Sequence, residues 1–302
     1  MRLSICIPIY NFDIRPLVGD LLRQTSGASD AVEIICIDDA SDEPFRTANR
    51  EVASKVCYVS LEHNIGRAAI RNLFLQYAQG DYLLFLDCDG GVRSGFVQRY
   101  LDVLQQEPQV VCGGRHYPKQ MDDRRHHLRY VYGVRCESKG ADERSVHPHA
   151  SFMTNNFVVK KDVLQRVRFD ESLRQYGHED TLFGYELCQA GIGVLHTNNE
   201  VENLDVEDNE LFLEKTRCGI RNLARLYERM QDEKQFVSLV KLLRWYRQCS
   251  QLYLTGVLYV VFRALKPVLE WGLRRGIASM MAFNFYKLGL LISEFRRTAD
   301  ES

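Results

Sequence analysis

The chain has 302 residues, of which 45% are hydrophobic and 26% charged, so it can form one large domain or one domain with an appendage. Its formal net charge of −1 argues against a general nucleic-acid binder, which normally carries a basic excess. Its nine cysteines include no pair at C-x-x-C spacing, which argues against a disulfide framework or a zinc site and predicts buried free thiols in a reducing compartment.

The N-terminus lacks the pattern of a signal peptide. Residues 1–9 run directly into an apolar, strand-like segment, without a basic region followed by a longer apolar stretch. We therefore expect a cytoplasmic protein.

Short apolar runs alternate with segments of helical spacing through the first two hundred residues. The runs predict buried strands at 3–9, 33–37, 56–61, 82–86 and 110–112. Between them, apolar residues recur at helical spacing in three stripes: Leu17, Leu21 and Leu22; Ala69, Leu73 and Tyr77; and Phe96, Tyr100, Val103 and Leu104. This alternation predicts an α/β fold with a mainly parallel sheet covered by helices.

Polar residues follow the first four runs, where ligands bind in sheets of this kind. These residues are Tyr10-Asn11, Asp38-Asp39-Ala40-Ser41-Asp42, His63-Asn64-Ile65-Gly66-Arg67 and Asp87-Cys88-Asp89. We expect all four groups to converge on one edge of the sheet.

Asp87-Cys88-Asp89 directly follows the fourth apolar run. Aspartate is depleted in strands, and carboxylates placed here suit Mg²⁺ or Mn²⁺, which prefer carboxylate oxygens and bridge to phosphates. The same residues with Gly90 also suit a solvated turn. The triplet alone leaves both interpretations open.

Two other groups have a functional and a structural interpretation. Asp38 and Asp39 can accept hydrogen bonds from a base or ribose, while Ser41 or Asp42 can cap a helix that has Pro44 in its first turn. Arg67 and Arg71 are four residues apart, which suits either an anion site at a helix N-terminus or a solvated basic face.

His178-Glu179-Asp180 precedes a predicted helix over 181–190 that Gly191 stops. Asp180 can cap this helix or act as a general base toward an attacking hydroxyl.

Helical periodicity without strand signals continues from about residue 206 to 297. Residues 232–302 contain eleven Lys or Arg and six Asp or Glu. The uncharged interval 248–262 is shorter than the ~20 residues of a membrane-spanning helix. The extension therefore has three interpretations: a packed helical appendage, a homodimer interface, or a surface that lies on a membrane.

The ordered motifs resemble family 2 glycosyltransferases of the GT-A fold. They are Ser4-Ile5-Cys6-Ile7-Pro8-Ile9-Tyr10-Asn11, the 38–42 and 87–89 segments, Asn64-Ile65-Gly66 with Arg71-Asn72, and Phe169-Asp170-Glu171 followed by His178-Glu179-Asp180. The resemblance covers residues 1–205 and implies a catalytic domain there, with 206–302 as a helical C-terminal extension. The stretches 205–215 and 285–289 also look like bacterial members that build surface polysaccharides, notably those of Bacteroides-type bacteria.

The resemblance implies an inverting transfer from a UDP- or GDP-sugar to a saccharide or lipid-linked acceptor, with Mg²⁺ or Mn²⁺ as cofactor. A lipid-linked acceptor would make contact of the C-terminal helices with the inner face of the cytoplasmic membrane useful. The resemblance also implies a donor site made of Pro8, Tyr10, Asn11, Asp39, Asn64, Arg71, Asp87, Cys88 and Asp89. Within that set it implies that Asp89 and Asp87 bind the metal. It implies that Asp180, beside Glu179, is the base, and that Asn155, Asn156 and His178 line the acceptor side.

One position departs from the family pattern. Many relatives have a late histidine as a metal ligand, where this chain has Asn203. An amide oxygen binds a hard metal less strongly than a charged ligand does, so we expect a weaker site or one completed by substrate. His196, His147 and His149 are other candidate ligands.

Several rival functions lack their sequence signatures. A Rossmann dehydrogenase needs G-x-G-x-x-G after the first strand, and a P-loop enzyme needs G-x-x-x-x-G-K-S/T. A nucleotidyltransferase that makes nucleotide-sugars would have a glycine- and arginine-rich loop after that strand. A non-catalytic nucleotide-sugar-binding protein on the same fold stays open because of Asn203.

Overall fold

The computed structural model describes residues 1–27, 31–118, 121, 123–173, 176–230 and 233–301, without the side chains of 299–301. Over these residues the strands are β1 Leu3–Ile9, β2 Val32–Asp38, β3 Cys57–Ser60, β4 Tyr82–Leu86, β5 Gly90–Gly91, β6 Val110–Cys112, β7 Arg115–His116, β8 Asn156–Lys160, β9 Val194–His196 and β10 Val201–Asn203. The five predicted strands are confirmed, with ends shifted by at most one residue.

The helices of the described residues fall into two groups along the chain. Those that alternate with strands are α1 Arg15–Thr25, α2 Glu43–Asn49, α3 Arg67–Tyr77, α4 Phe96–Leu104, α5 His127–Tyr132, α6 Ala141–Ser145, α7 Lys161–Arg166 and α8 Glu179–Gln189. Those that follow the last strand are α9 Asn209–Arg229, α10 Lys234–Leu239, α11 Lys241–Gln251, α12 Thr255–Arg274 and α13 Met280–Glu301.

Seven strands form one sheet in the order β3-β2-β1-β4-β8-β6-β9. Neighbouring strands are parallel except β8, which runs antiparallel to both β4 and β6. This confirms the mainly parallel sheet flanked by helices. A second sheet, which the sequence did not predict, has the order β5-β10-β7.

The central strands of the sheet are buried on both faces because they are apolar on both faces. In β1, Leu3, Ile5 and Ile7 pack into one core cluster with α1 and α4, while Cys6 packs into a second cluster with α3 and α7. Continuous apolar runs are the pattern expected when helices cover both faces of a parallel sheet. All nine cysteines are free thiols.

The chain divides into two compact units. The first contains Met1–Pro118, Glu137–Arg174 and Leu182–Asp205, and the second contains Lys119–Cys136, Gln175–Thr181 and Val206–Ser302. The last segment of the first unit ends at Asp205, which coincides with the predicted domain boundary. However, the second unit also takes two segments from the predicted catalytic domain, in part because α5 packs on α9 and α13. The division 1–205 and 206–302 therefore stays a prediction.

Candidate active site

Four strand ends of the first unit lie side by side at one edge of the large sheet. β3, β2, β1 and β4 are consecutive and parallel, so the polar segments that follow them share this edge. Because β8 is antiparallel, its first residues, rather than its last, lie at the same edge.

Asp38 and Asp39 are buried at the end of β2 and hold neighbouring loops. Asp38 accepts hydrogen bonds from the Ser41 amide at 2.7 Å and the Tyr58 hydroxyl at 2.8 Å. Asp39 accepts from the amides of Ile65 and Gly66 at 2.7 and 3.1 Å. Burial raises the pKa of Asp39 above its usual range. Asp39 thus fixes the loop before α3.

Asn64 belongs to the same loop as the two amides that Asp39 binds. Its side-chain amide donates to the Asp39 carbonyl at 3.1 Å. The structure therefore brings together two of the predicted donor-site residues.

The segment after β1 is tied to the segment after β2. Asn11, in a left-handed conformation with φ 49°, donates from its main-chain amide to the Ser41 hydroxyl at 2.9 Å and exchanges two further hydrogen bonds with Asp42. Asp42 occupies the N-cap position of α2, with Pro44 in the first turn as predicted, but its side chain makes no capping bond and its carboxylate accepts from Asn11 instead. Tyr10 is 55% exposed at this edge, and Pro8 lies within β1.

Arg71 and Asp87 form an ion pair at the end of β4. Arg71 is 2% exposed and donates from Nη2 to Asp87 Oδ1 at 2.9 Å and from Nη1 to the Arg67 carbonyl at 3.1 Å. Its guanidinium also lies over the Phe169 ring, 5.7 Å from the centroid. Arg71 is thus placed to orient Asp87 from a buried position, and its membership of the donor site stays a prediction.

The Asp87-Cys88-Asp89 segment is both a turn and a carboxylate site. The Gly90 amide donates to the Asp87 carbonyl at 3.1 Å, which closes a turn, so the turn interpretation is right for the backbone. Cys88 packs against the apolar core, and burial raises its pKa to about 12, which makes it a protonated, inert thiol. Both carboxylates stay at the sheet edge.

Arg115 lies beside Asp89 in a polar cluster that the sequence did not predict. Its Nη2 donates to Asn203 Oδ1 at 2.5 Å and lies 3.7 Å from Asp89 Oδ2, and its Nη1 lies 3.5 Å from Glu137 Oε2. Glu137 also accepts from the Tyr117 hydroxyl, and the Arg115 guanidinium lies 5.6 Å from the Tyr117 ring centroid.

Opposing influences act on the pKa of Asp89 in this cluster. Burial is the largest cause that raises the pKa of Asp89, and the nearby Asp87 raises it further, while Arg115 and Arg67 lower it. Asp89 is therefore a carboxylate that an additional cation would stabilise in its charged form.

The donor chemistry suits Mg²⁺ or Mn²⁺ only in part. Carboxylate oxygens of Asp89 and Asp87 are hard ligands. Over the described parts of the chain, however, no three His, Cys, Asp or Glu side chains come together as a metal site. The Asn203 amide oxygen is taken by Arg115. A cation at this edge would need its other ligands from a bound phosphate or water.

Two of the three candidate histidine ligands, His196 and His149, are engaged elsewhere. His196 is buried between the Arg144 guanidinium at 2.6 Å and the Pro148 carbonyl at 3.0 Å, and His149 contacts the Ile192 carbonyl at 2.8 Å. Burial lowers the pKa of His196. The expectation that His196 or His149 completes a metal site is not supported by these positions.

Asn156 is the first residue of β8, and Asn155 directly precedes it at the same sheet edge; both are buried, but their hydrogen bonding differs. Asn156 is 1% exposed, donates to two carbonyls and accepts from the Tyr100 hydroxyl at 2.6 Å, so its side chain is not available to an acceptor. Asn155 Nδ2, by contrast, is a buried donor that has no hydrogen-bond partner among the described residues. Such a donor can hydrogen-bond to a bound ligand or to water.

The second unit contains His178, Glu179 and Asp180, where α8 begins. The helix starts at Glu179, two residues before the predicted start, so Asp180 lies in its first turn and accepts from the Thr181 amide at 2.7 Å. Burial lowers the pKa of His178 to about 4, so its imidazole is neutral at neutral pH.

Two consecutive residues with positive φ lead into this helix. Gly177 has φ 103° and His178 has φ 70°. A Cβ atom on Gly177 would lie 2.9 Å from the Gly219 Cα atom, and Asn222 donates to the Tyr176 and Gly177 carbonyls. The backbone before Asp180 is thus held in a conformation that needs glycine.

Sequence reasoning missed Arg115, Tyr117 and Glu137. A signal for Arg115 was present, because Gly113-Gly114-Arg115 follows the fifth apolar run just as the other polar segments follow the first four. Glu137 had no such signal, since it lies in a short helical turn far from any predicted strand end.

Residues 4–168 match the family model described as Glycosyl transferase family 2. Among known proteins, the chain is 32% identical over 181 residues to "Uncharacterized glycosyltransferase EpsJ" of Bacillus subtilis, covering 57% of this chain and 52% of that protein. It is 29% identical over 226 residues to "Chondroitin synthase" of Escherichia coli, covering 63% of this chain and 32% of that protein. The chain thus spans about half or less of the length of these relatives.

Among solved structures, the fold is similar to a mannosyltransferase from Pyrobaculum calidifontis in complex with GDP-Man and Mn²⁺. The TM-score is 0.60 at 14% identity, covering 100% of this chain and 88% of the other. At this identity the similarity concerns the fold.

Proposed function

The chain belongs to glycosyltransferase family 2, and we propose that it moves a sugar from a UDP- or GDP-sugar to a saccharide or lipid-linked saccharide acceptor in cell-surface polysaccharide synthesis. The relative named chondroitin synthase supports a polysaccharide product. The GDP-Man complex of the structural neighbour supports a nucleotide-diphospho-sugar donor.

The observation that carries this proposal is the grouping of carboxylates at one sheet edge. Asp87 and Asp89 follow β4, next to the strand ends that carry Tyr10 and Asp39, and all lie within the family match. A nucleotide needs stacking and hydrogen-bonding groups, and its diphosphate needs positive charge near carboxylate-bound metal. The edge offers the exposed Tyr10 ring, the orphan amide of Asn155 and the cations Arg67 and Arg115.

The proposed donor roles follow from these positions. Tyr10 contacts the base, while Asp39 keeps the loop at Asn64 in place through its two amide bonds. Asp87, oriented by Arg71, faces the ribose or the cation. Asp89 would hold Mg²⁺ or Mn²⁺, which would supply positive charge for the departing diphosphate.

Asp180 is the proposed general base. Its carboxylate would accept the proton of the acceptor hydroxyl as that oxygen attacks the anomeric carbon and the nucleoside diphosphate leaves. A single displacement of this kind inverts the anomeric centre. The neutral His178 beside it would contribute hydrogen bonds, rather than charge, to an acceptor.

Two variants test these roles. For each, sugar transfer is assayed and thermal stabilisation by UDP- and GDP-sugars is measured with and without Mn²⁺. Asp89→Ala should abolish transfer and the Mn²⁺-dependent stabilisation by the donor, whereas Asp180→Asn should abolish transfer and keep that stabilisation. Asp102→Ala, at an exposed carboxylate on α4, is the control and should behave like the parent protein. Near-normal turnover in either site variant would refute its role.

A nucleotide-sugar-binding protein without transfer activity is the second candidate. It is favoured by the Arg115 guanidinium, which binds Asn203 where relatives often have a metal-ligating histidine. Donor stabilisation with neither transfer nor donor hydrolysis would support this candidate. Release of pyrophosphate from a nucleoside triphosphate and a sugar phosphate would instead indicate a nucleotidyltransferase.

A further inference from the structure

Helix α12 in the second unit carries a continuous row of exposed apolar side chains. We call this row the α12 stripe; its members are Val257, Val260, Val261, Ala264, Leu265, Val268 and Trp271. Val260 and Val268 are 67% and 66% exposed, and Trp271 is 51% exposed. The spacing of three and four residues places the whole row on one face of the helix. So large an exposed apolar row usually marks an interaction surface.

The opposite face of α12 already packs into the core of its unit, so the stripe is not the face by which the helix is held there. Phe262 and Leu273 are buried, and Phe262 packs against Phe285 and Tyr286 of α13. Gly289 allows this close approach, because a Cβ atom there would lie 2.2 Å from the Phe262 ring. The position of α12 in its unit is therefore fixed while its stripe faces outward.

The turn before α12 extends the stripe. Leu252, Tyr253 and Leu254 are all exposed, with Tyr253 at 92%. The chain bends by 118° between α11 and α12 at this turn. No single helix in the described part of the chain is long and apolar enough to cross a membrane, although α11 and α12 together meet the length and composition test as a bent pair.

The charges on α12 beside the stripe are mainly positive. Arg263 and Arg275 are exposed, and the Arg275 guanidinium lies 4.5 Å from the centroid of the Trp271 ring. Arg274 is also exposed but is paired with the Glu210 carboxylate at 2.9 Å. The one carboxylate in the sequence of α12 is Glu270, which accepts from the Tyr286 hydroxyl at 2.8 Å and lies 3.4 Å from Arg217. Its charge is thus directed into the unit.

We propose that the α12 stripe and its turn form a monotopic docking surface for a bilayer that contains anionic lipids. An in-plane amphipathic helix buries Val, Leu and Trp at the boundary between headgroups and acyl chains and keeps Arg at the anionic headgroups. The stripe supplies the apolar side chains, and Arg263 and Arg275 supply the cations, since Arg274 is paired with Glu210.

A second copy of the chain fits these charges less well. The stripe is centred on Ala264, so an antiparallel pair of α12 helices would bring the two Arg263 side chains together. No exposed carboxylate of α12 is available to neutralise them. Like charges across an interface disfavour association, whereas anionic headgroups favour it.

Vesicle flotation of the full chain tests the proposal without donor or acceptor, so its outcome is independent of transfer activity. The probes are vesicles of phosphatidylcholine alone and of phosphatidylcholine with phosphatidylglycerol. We expect binding to the anionic vesicles that weakens as salt is raised. Absence of binding to either vesicle would overturn the proposal.

Matched variants locate the surface. Val260→Glu and Val268→Glu should each weaken vesicle binding roughly tenfold, the loss expected for one buried valine. Val146→Glu is the control, since Val146 is an equally exposed valine (68%) in the first unit, and it should bind like the parent. Arg263→Gln should weaken binding to anionic vesicles only, by roughly fivefold. Equal binding by all variants would refute the assignment.

Trp271 provides a direct probe because the chain has only two tryptophans, Trp245 and Trp271. In a Trp245→Phe variant, Trp271 emission should shift to the blue on anionic vesicles and be quenched by brominated acyl chains. Analytical sedimentation of the protein without lipid measures its oligomeric state and so tests for a second copy at this surface. A stable dimer that Val260→Glu dissociates, without any vesicle binding, would show that a second copy is the occupant and overturn the proposal.

Discussion

Replacement of Arg115 by methionine should increase the affinity of the donor-free protein for Mn²⁺. In the parent chain the Arg115 guanidinium lies 3.7 Å from Asp89 Oδ2 and binds Asn203 Oδ1 at 2.5 Å. It therefore neutralises the proposed metal ligand and takes the amide oxygen that could serve as another. Methionine keeps much of the side-chain volume but removes the charge and the donors.

The magnitude follows from Coulomb interaction at this distance. Two unit charges at 4 Å interact by about 4 kcal/mol at an effective dielectric constant of 20, and a divalent cation near Arg115 would experience a repulsion of at least this order. The Asp89 side chain is 28% exposed and that of Arg115 is 12% exposed, so solvent weakens the interaction. A net gain of about 1.4 to 3 kcal/mol, or roughly ten- to hundredfold in affinity, is expected.

Titration of Mn²⁺ with detection of the free ion by electron paramagnetic resonance measures this affinity without turnover. Arg99→Met is the control, because Arg99 is an exposed arginine bound to Asn199 at 2.7 Å, outside the Asp89 cluster. Adding Asp89→Ala to Arg115→Met should remove the gain. Unchanged or weaker Mn²⁺ binding in Arg115→Met would refute the idea that this guanidinium competes with a metal.

Three further predictions concern stability and can be measured by urea or thermal unfolding. Arg71→Met should lower the free energy of unfolding by about 3 kcal/mol, because it leaves the Asp87 carboxylate without its partner. Adding Asp87→Asn should recover part of this loss. A loss below about 0.5 kcal/mol would contradict a buried ion pair. Burial lowers the pKa of His178 from the ordinary 6.5 of a histidine to about 4, so protonation favours the unfolded state. The free energy of unfolding of the parent should therefore fall by up to about 3 kcal/mol as pH falls from 6.5 to 4. His178→Asn, which tolerates the positive φ, should lack this component, and parallel pH profiles of the two proteins would count against it. Gly289→Ala should lower the unfolding temperature, at a cost of about 1 to 3 kcal/mol, because its Cβ atom would meet the Phe262 ring; an unchanged temperature would show that α12 can shift at no cost.

Five of the seven strands of the large sheet could be predicted because each is a continuous apolar run. β1, β4 and β6 have the predicted ends, since both faces of these strands are buried and every residue in them contributes to the signal. The small sheet could not be predicted in the same way. β5 and β7 have two residues each, too few for any periodicity.

The site was predictable where it depends on strand ends and unpredictable where it depends on distant contacts. The convergence of Asp39 and Asp87 on one edge follows from the parallel direction of the strands that they end, which the sequence predicts. The contact between Arg115 and Asn203 joins residues 88 apart in the chain, and only the pairing of β7 with β10 brings them together. Likewise, nothing local distinguishes the buried Asn156 from its neighbour Asn155, whose amide nitrogen lacks a partner.

The antiparallel strand β8 has a consequence for the order in which the first unit folds during synthesis. β3, β2, β1 and β4 can pair with one another as soon as residue 86 has emerged, but β6 pairs only with β8 and β9. β6 ends at Cys112 and β8 begins at Asn156, so β6 has no strand partner until the ribosome has added more than forty residues beyond β6. During that interval the nascent chain exposes the edges of β4 and β6, and such unpaired edges are where aggregation and chaperone binding concentrate. Insertion of β8 between them closes both edges in one step and brings Asn155 to Asp87.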